Sequence, residues 1–232
     1  MSLPRPADFA ALYSRFQSPI AAFNCGEKCA PYNERGVPFC CDTHHAVPSA
    51  HQAEWEYLQA NTDLWHPWQP EVSLNSIHLH STLPDGQVLI ECLGHRLCQR
   101  NFRSITCRSF PFFPYLTREG EFIGITYYWD YEDRCWVISN LSNVSQEYLA
   151  EFIQAYERLF QLVPAEIENF LYQSTLMRRR FGQMHRTIPL LHRNGDFYKI
   201  TPSNGRMRRA YLEDLPKFGP YGIAAKMPFP GE

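Results

Sequence analysis

Seven of the eight cysteines fall into two groups whose residue type and spacing suit metal ligation. The first group is Cys25 and Cys29, followed by the adjacent pair Cys40-Cys41. The second is Cys92, Cys98 and Cys107, and Cys107 runs straight into Arg108-Ser109-Phe110-Pro111-Phe112. Thiolates bind soft or borderline metals. Two such groups brought together by folding can fill a tetrahedral zinc site or hold an iron–sulfur cluster. Zinc ribbons use two Cys-x-x-Cys knuckles, and this chain has neither. An adjacent pair is awkward for one mononuclear ion, because neighbouring side chains diverge. It can bridge two metals, or give one thiol to the site and the other to the core.

Several neighbours bear on that chemistry. His44-His45 follow the doublet closely enough to complete a site, His78 and His80 share one face of a predicted strand, and His95 lies between Cys92 and Cys98. For all three the bland reading competes, that of surface or hairpin-face histidines in a chain with nine. Arg108 is placed to hydrogen-bond a sulfur or offset the excess charge of four thiolates, or else to pair with a nearby acid. The run Phe110-Pro111-Phe112-Phe113-Pro114 reads as a rigid apolar wall over the site. Cys135 lies outside both groups and reads as a small buried side chain. Glu54/Glu56 and Glu119/Glu121 read as surface charges. There is no Gly-x-Ser-x-Gly, His-Glu-x-x-His or phosphate loop.

Composition narrows the class. No apolar run approaches the roughly 20 residues of a membrane helix. Met1 to Ser18 carries Pro4, Arg5, Pro6, Asp8 and Arg15 where a secretory leader would be apolar. The chain therefore reads as cytoplasmic with no membrane partner. In a reducing compartment clustered thiols bind metal or do redox chemistry more often than they form disulfides, and a disulfide framework is the competing reading of the even count. Net charge is only −2 but uneven, since Arg178 to Lys217 holds ten Lys/Arg against three acids. That stretch reads as a solvated basic face, with a nucleic-acid surface as the alternative.

The elements that must position the cysteines follow from periodicity. Phe9, Leu12, Tyr13 and Phe16 have helical spacing, and Cys25 to Val47 reads as a loop wrapped around something. Ser49 is a cap for a helix through Glu54, Trp55, Tyr57 and Leu58. Val72 to His80 and Val88 to Leu93, joined by a Pro84-Asp85-Gly86-Gln87 turn, predict a β-hairpin delivering Cys92. Phe122 to Trp129 and Trp136 to Ser139 read as another strand pair. Ser145 opens an amphipathic helix with Leu149, Phe152, Ile153, Tyr156, Leu159 and Phe160 on one stripe, and a second helix spans about 165 to 181. Two short strands and Pro/Gly-rich coil follow Thr187. The sum is an α+β fold: one small cysteine-clustered metal-binding domain over 1–182, with a hairpin, a pair of C-terminal helices and an irregular tail. Residues 183–232 form a basic extension packed on it.

The order Cys25, Cys29, Cys40-Cys41, then Cys92, Cys98 and Cys107-Arg108-Ser109-Phe110-Pro111 resembles the zinc- or iron-chelating family of the YkgJ type. That family runs from a cysteine knuckle to a Cys-Cys pair and closes on Cys-Arg-x-Phe-Pro. The likeness covers residues 20–115, about half the chain. It departs from the family at Arg103-Ser104, where the family has Arg-Pro, and in the longer Cys29 to Cys40 gap. The resemblance implies chelation of zinc or iron by Cys25, Cys29, Cys40, Cys41, Cys92, Cys98 and Cys107, more ligands than one site needs. A related arrangement in the flagellin lysine methylase family, thought to carry an iron–sulfur cluster, implies the alternative of a cluster-dependent enzyme. With [4Fe–4S] or zinc both open, the expected roles are redox or structural. A zinc-stabilised nucleic-acid- or protein-binding module is the third reading.

Overall fold

A computed structural model describes residues 3–69, 81 and 83–223. The predicted strand Val72 to His80, with His78 and His80, lies outside the described residues. The fold is α+β. Helix α1 (Pro6–Ser14) buries Phe9, Leu12 and Tyr13, the residues at helical spacing. A short turn of helix α2 (Gly26–Cys29) and 3-10 turns at Ala30–Tyr32 and Phe39–Cys41 organise the cysteine loop. Strand β1 (Ser49–His51) precedes α3 (Gln52–Asn61), so His51 rather than Ser49 stands at the helix start. Strands β2 (Trp65–Pro67) and β3 (Gln87–Cys92) complete a three-stranded antiparallel sheet in the order β1-β3-β2.

Helix α4 (Ile105–Ser109), capped by the Ser104 hydroxyl accepting from the Cys107 N–H at 3.2 Å, leads into β4 (Phe112–Leu116). Strands β5 (Phe122–Tyr127), β6 (Ile188–His192), β7 (Phe197–Ile200) and β8 (Met207–Arg209) follow β4 in a five-stranded antiparallel sheet ordered as in sequence. The partner of β5 is thus β4 and not Trp136 to Ser139, which forms turns running into a 3-10 segment at Ile138–Asn143. The two prolines hide β4 from pattern reading. Pro114 has no N–H to donate, which an edge strand tolerates, and β4 is the sheet edge. The edge is also covered, for the Leu116 N–H donates to Ser174 Oγ at 3.0 Å from a helix packed beside it.

That helix is α6 (Ala165–Gln183), preceded by α5 (Gln146–Leu162). The Ser145 hydroxyl caps α5 by accepting from the Tyr148 N–H, and Leu149, Phe152, Ile153, Tyr156 and Leu159 are buried on its stripe. A last helical turn, α7 (Gly219–Ile223), ends the described chain. Adjacent β4 residues face opposite sides. Phe112 enters the main core with α1, α3 and α5, while Phe113 packs with Met177, Phe181, Ile188 and Leu190 in a second core. The Phe-Pro run is therefore a strand between two cores, not a one-sided cover. Among the described residues no helix is long and apolar enough to cross a membrane.

Candidate metal centre

Both cysteine groups are carried by short turns pinned from the side. In the first, Gly26 lets the Cys25–Cys29 turn nest against the doublet's turn, since a Cβ there would stand 2.8 Å from Pro38 Cγ. The Asp42 carboxylate, buried behind the doublet, accepts from Asn33 Nδ2 at 3.1 Å, the His44 N–H at 3.1 Å and Arg35 at 3.0 Å. Those donors hold its pKa below the usual carboxylate range despite burial. The same contacts occupy His44, whose Nδ1 faces Asp42 at 3.1 Å. The His45 ring lies edge-on to Phe39 at 4.9 Å. His95 sits half-buried in a 3-10 turn, His95–Leu97.

The second group is held by three anchors. Cys92 ends β3 opposite Trp65, and the Trp65 indole N–H donates to the Phe102 carbonyl at 2.6 Å. Glu54 is buried at 1% exposure and accepts from the Ile105 N–H at 2.7 Å and the Tyr13 hydroxyl at 2.6 Å. It is no surface charge, and burial raises its pKa. Arg108 is buried too. Its guanidinium donates to the carbonyls of Arg103 and Asn101, both at 2.8 Å, and of Phe16, and lies 4.4 Å over the Tyr13 ring. Arg108 therefore shapes the loop through its backbone, and among the described residues it touches neither a sulfur nor an acid. One hydrogen bond, Thr43 Oγ1 to Glu91 at 2.9 Å, ties the doublet's loop to the strand ending at Cys92.

Cys25 of the first group, Cys92 and Cys107 of the second, and Cys135 all pack against the main core. The Sγ atoms of Cys40 and Cys41 lie 3.9 Å apart. The sequence reading meets Arg103 as the arginine of the family's Arg-Pro step, with Ser104 in place of the proline, and gives it no role. Its Nε donates to Cys98 Sγ at 3.1 Å, and its charge reaches Cys107 and Cys41 as well. The only sequence signal was position, a cation between Cys98 and Cys107. Cys41 is within electrostatic reach of Cys25 and Cys29 in its own group and of Cys92 and Cys107 in the other.

Burial governs the protonation of the thiols themselves. Burial pushes Cys107 up to about 12 and Cys29 up to about 11, and raises Cys25 and Cys92. Only Cys41 is lowered, by the hydrogen bond from Cys40 and then by Arg103, while the same bond raises Cys40. Neutral buried thiols crowded together ionise when a metal supplies the missing positive charge. The donor set thus suits a thiophilic metal. Among the described residues, however, no three His, Cys, Asp or Glu side chains are gathered closely enough to hold an ion as they stand. All eight cysteines are free thiols, so no disulfide blocks convergence.

Elsewhere the basic stretch is largely engaged. Arg186, Arg193, Lys199 and Arg209 face Glu132, Glu157, Asp214 and Asp196, and Arg178 is buried against the Leu116 carbonyl. A surface groove of about 390 Å³ lined by Arg118, Leu171, Thr175, Arg178, Arg179 and Pro202 contains no cysteine. No family model, curated protein or solved structure matches the chain.

Proposed function

We propose that this chain is a metal-binding protein whose two cysteine groups together ligate zinc or a [4Fe–4S] cluster. One observation supports the reading above the rest: the Arg103 guanidinium donates to Cys98 Sγ of the second group at 3.1 Å, and its charge extends to Cys107 and to Cys41 of the first. Four thiolates around Zn²⁺ or around a [4Fe–4S]²⁺ core leave a net negative centre, and a fixed cation beside the sulfurs offsets it. In this reading Cys41, Cys92, Cys98 and Cys107 are the principal ligands, and Cys25, Cys29 and Cys40 stand beside them. A bound metal would supply charge neutralisation and, if iron, electron transfer. The protein supplies the thiolates, holds the turns with Asp42, Glu54 and Arg108, and limits water through the aromatic core.

Anaerobic purification followed by zinc, iron and sulfide analysis tests this. The expected result is at least one zinc, or four iron and four sulfide with a broad absorption near about 400 nm, per chain. A chain carrying neither metal as purified, and taking up neither on reconstitution with zinc or with iron and sulfide, contradicts the reading.

A further inference from the structure

Leu171, Thr175, Arg178 and Arg179 recur at i, i+4, i+7 and i+8 along α6, so they share one helix face. Arg118, from the turn between β4 and β5, and Pro202, beyond β7, close that face into the groove of about 390 Å³. Pro202 abuts the helix, since a Cβ on Gly182 would stand 3.8 Å from the Pro202 Cβ. Three guanidinium groups thus line one groove, and no carboxylate does. Among the described residues none of these three arginines makes an ion pair, whereas Arg186, Arg193, Lys199 and Arg209 each face an acid. Glu119, the acid next to Arg118, is exposed and outside the lining, though its charge reaches Arg118 and Arg178.

Two of the cations are fixed in place by the fold itself. Arg178, 7% exposed, donates from Nη1 to the Leu116 carbonyl at 2.8 Å and the Tyr115 hydroxyl at 3.3 Å, and from Nη2 to Thr175 Oγ1 at 2.7 Å. The Thr175 hydroxyl donates to the Leu171 carbonyl at 2.8 Å, so its oxygen is free to orient Arg178. Arg118 donates from Nη2 to the carbonyls of Pro202 and Ser203 at 3.1 and 2.6 Å. A guanidinium has five N–H donors, so with three engaged Arg178 keeps two, and with two engaged Arg118 keeps three. Arg179 is exposed. Held guanidinium groups without a counter-charge suit a phosphate, which takes them through paired hydrogen bonds and, as a monoester, carries about two charges. The volume falls within the roughly 300–1,000 Å³ of small-molecule pockets, and Leu171 and Pro202 add apolar surface. A nucleic-acid strand would need a continuous cationic track, and four other cations of this stretch already face acids. We infer that the groove binds a small organic phosphate monoester, with the phosphate among Arg118, Arg178 and Arg179 and the apolar part on Leu171 and Pro202. The groove shares no residue with the cysteine groups and does not depend on the metal-binding reading.

The test is isothermal titration calorimetry of the full chain with phenyl phosphate, set against inorganic phosphate, phenyl sulfate and a single-stranded oligonucleotide. Phenyl phosphate should bind saturably at one equivalent. It should bind more tightly than inorganic phosphate, which lacks the ring, and than phenyl sulfate, which carries a single charge. Arg179→Gln and Arg118→Gln should each weaken it about tenfold or more, the effect of losing one charge-assisted contact. Arg180→Gln removes a charge from the same helix outside the groove. At about 0.1 M salt, where distant charges are screened, it should leave affinity within about twofold of wild type. Circular dichroism of each variant, matched to wild type, separates ligand loss from misfolding. Absence of saturable phenyl phosphate binding, by calorimetry and by equilibrium dialysis, overturns the site. Equal losses in Arg180→Gln and Arg179→Gln overturn it in favour of a diffuse basic face. An oligonucleotide that binds more tightly than phenyl phosphate overturns it in favour of a nucleic-acid surface.

Discussion

Replacing Arg103 separates a charge that serves the metal centre from one that serves the fold. Its Nε–H donates to Cys98 Sγ at 3.1 Å, with Cys107 and Cys41 next in reach. In the metal-free chain burial keeps Cys107 protonated near pH 7, since it pushes that thiol up to about 12. Burial alone would disfavour the guanidinium, but the Cys98, Cys107 and Cys41 sulfurs beside it outweigh that and hold it protonated. Arg103→Ala should therefore change metal-free stability less than it changes metal affinity, because a neutral thiol accepts more weakly than a thiolate. In the loaded chain the same contact is a charge-assisted bond to a thiolate, worth about 1.5–3 kcal/mol. Zinc affinity should fall about 10- to 100-fold, the range typical for groups that hold a ligand in place. Arg103→Lys, which keeps the charge and loses the planar fork, should fall between. Competition against a chromophoric chelator gives the affinities, and urea denaturation of the metal-free chain gives the stability. Affinity within about twofold of wild type, or equal stability losses with and without metal, refutes the reasoning.

Other consequences are as direct. Arg108→Ala leaves the Arg103, Asn101 and Phe16 carbonyls without their donor. It should cost about 2–4 kcal/mol in chemical denaturation, with Arg108→Lys recovering only part. Glu54→Ala strands the Tyr13 hydroxyl and the Ile105 N–H, so it should cost about 2–4 kcal/mol, whereas Glu54→Gln, which can still accept from both, should lose far less. His51 pairs with Glu166 at 3.3 Å. Burial would lower its pKa, but the Glu166 hydrogen bond and charge win and raise it. Its stabilisation is complete below the unfolded value of about 6.5 and lost as pH rises through the folded value, so the melting difference between wild type and His51→Gln should be largest near pH 5 and shrink toward pH 8. A Cβ at Gly124 would stand 2.4 Å from the Leu191 carbonyl oxygen and 2.8 Å from His192 Cα. Gly124→Ala must push β5 from β6 and should lower the melting temperature well beyond an exposed-strand Gly→Ala control.

What sequence could show depended on whether a residue's role is local. Helix α5 was legible because its cap and its stripe sit within one segment, from Ser145 through Leu159. Strand β4 was hidden because Pro111 and Pro114 argue against a strand, and only its edge position, set by distant pairings, makes them acceptable. The cysteines announced themselves by spacing, but not the groups that seat them. Glu54 looked like a surface acid until α1 and α4 closed over it, and Arg108 beside Cys107 drew attention that belongs to Arg103. Cys135, read as a small side chain outside both groups, packs against the main core beside Trp136.

X-ray absorption at the zinc or iron edge, on protein purified anaerobically and reconstituted where needed, tests the central claim most directly. The account predicts a first shell made of sulfur, at about 2.3 Å with four sulfurs per zinc, or the sulfur and iron shells of a cluster for iron. A first shell of nitrogen and oxygen, or a chain that holds no metal at the edge after loading, would contradict it.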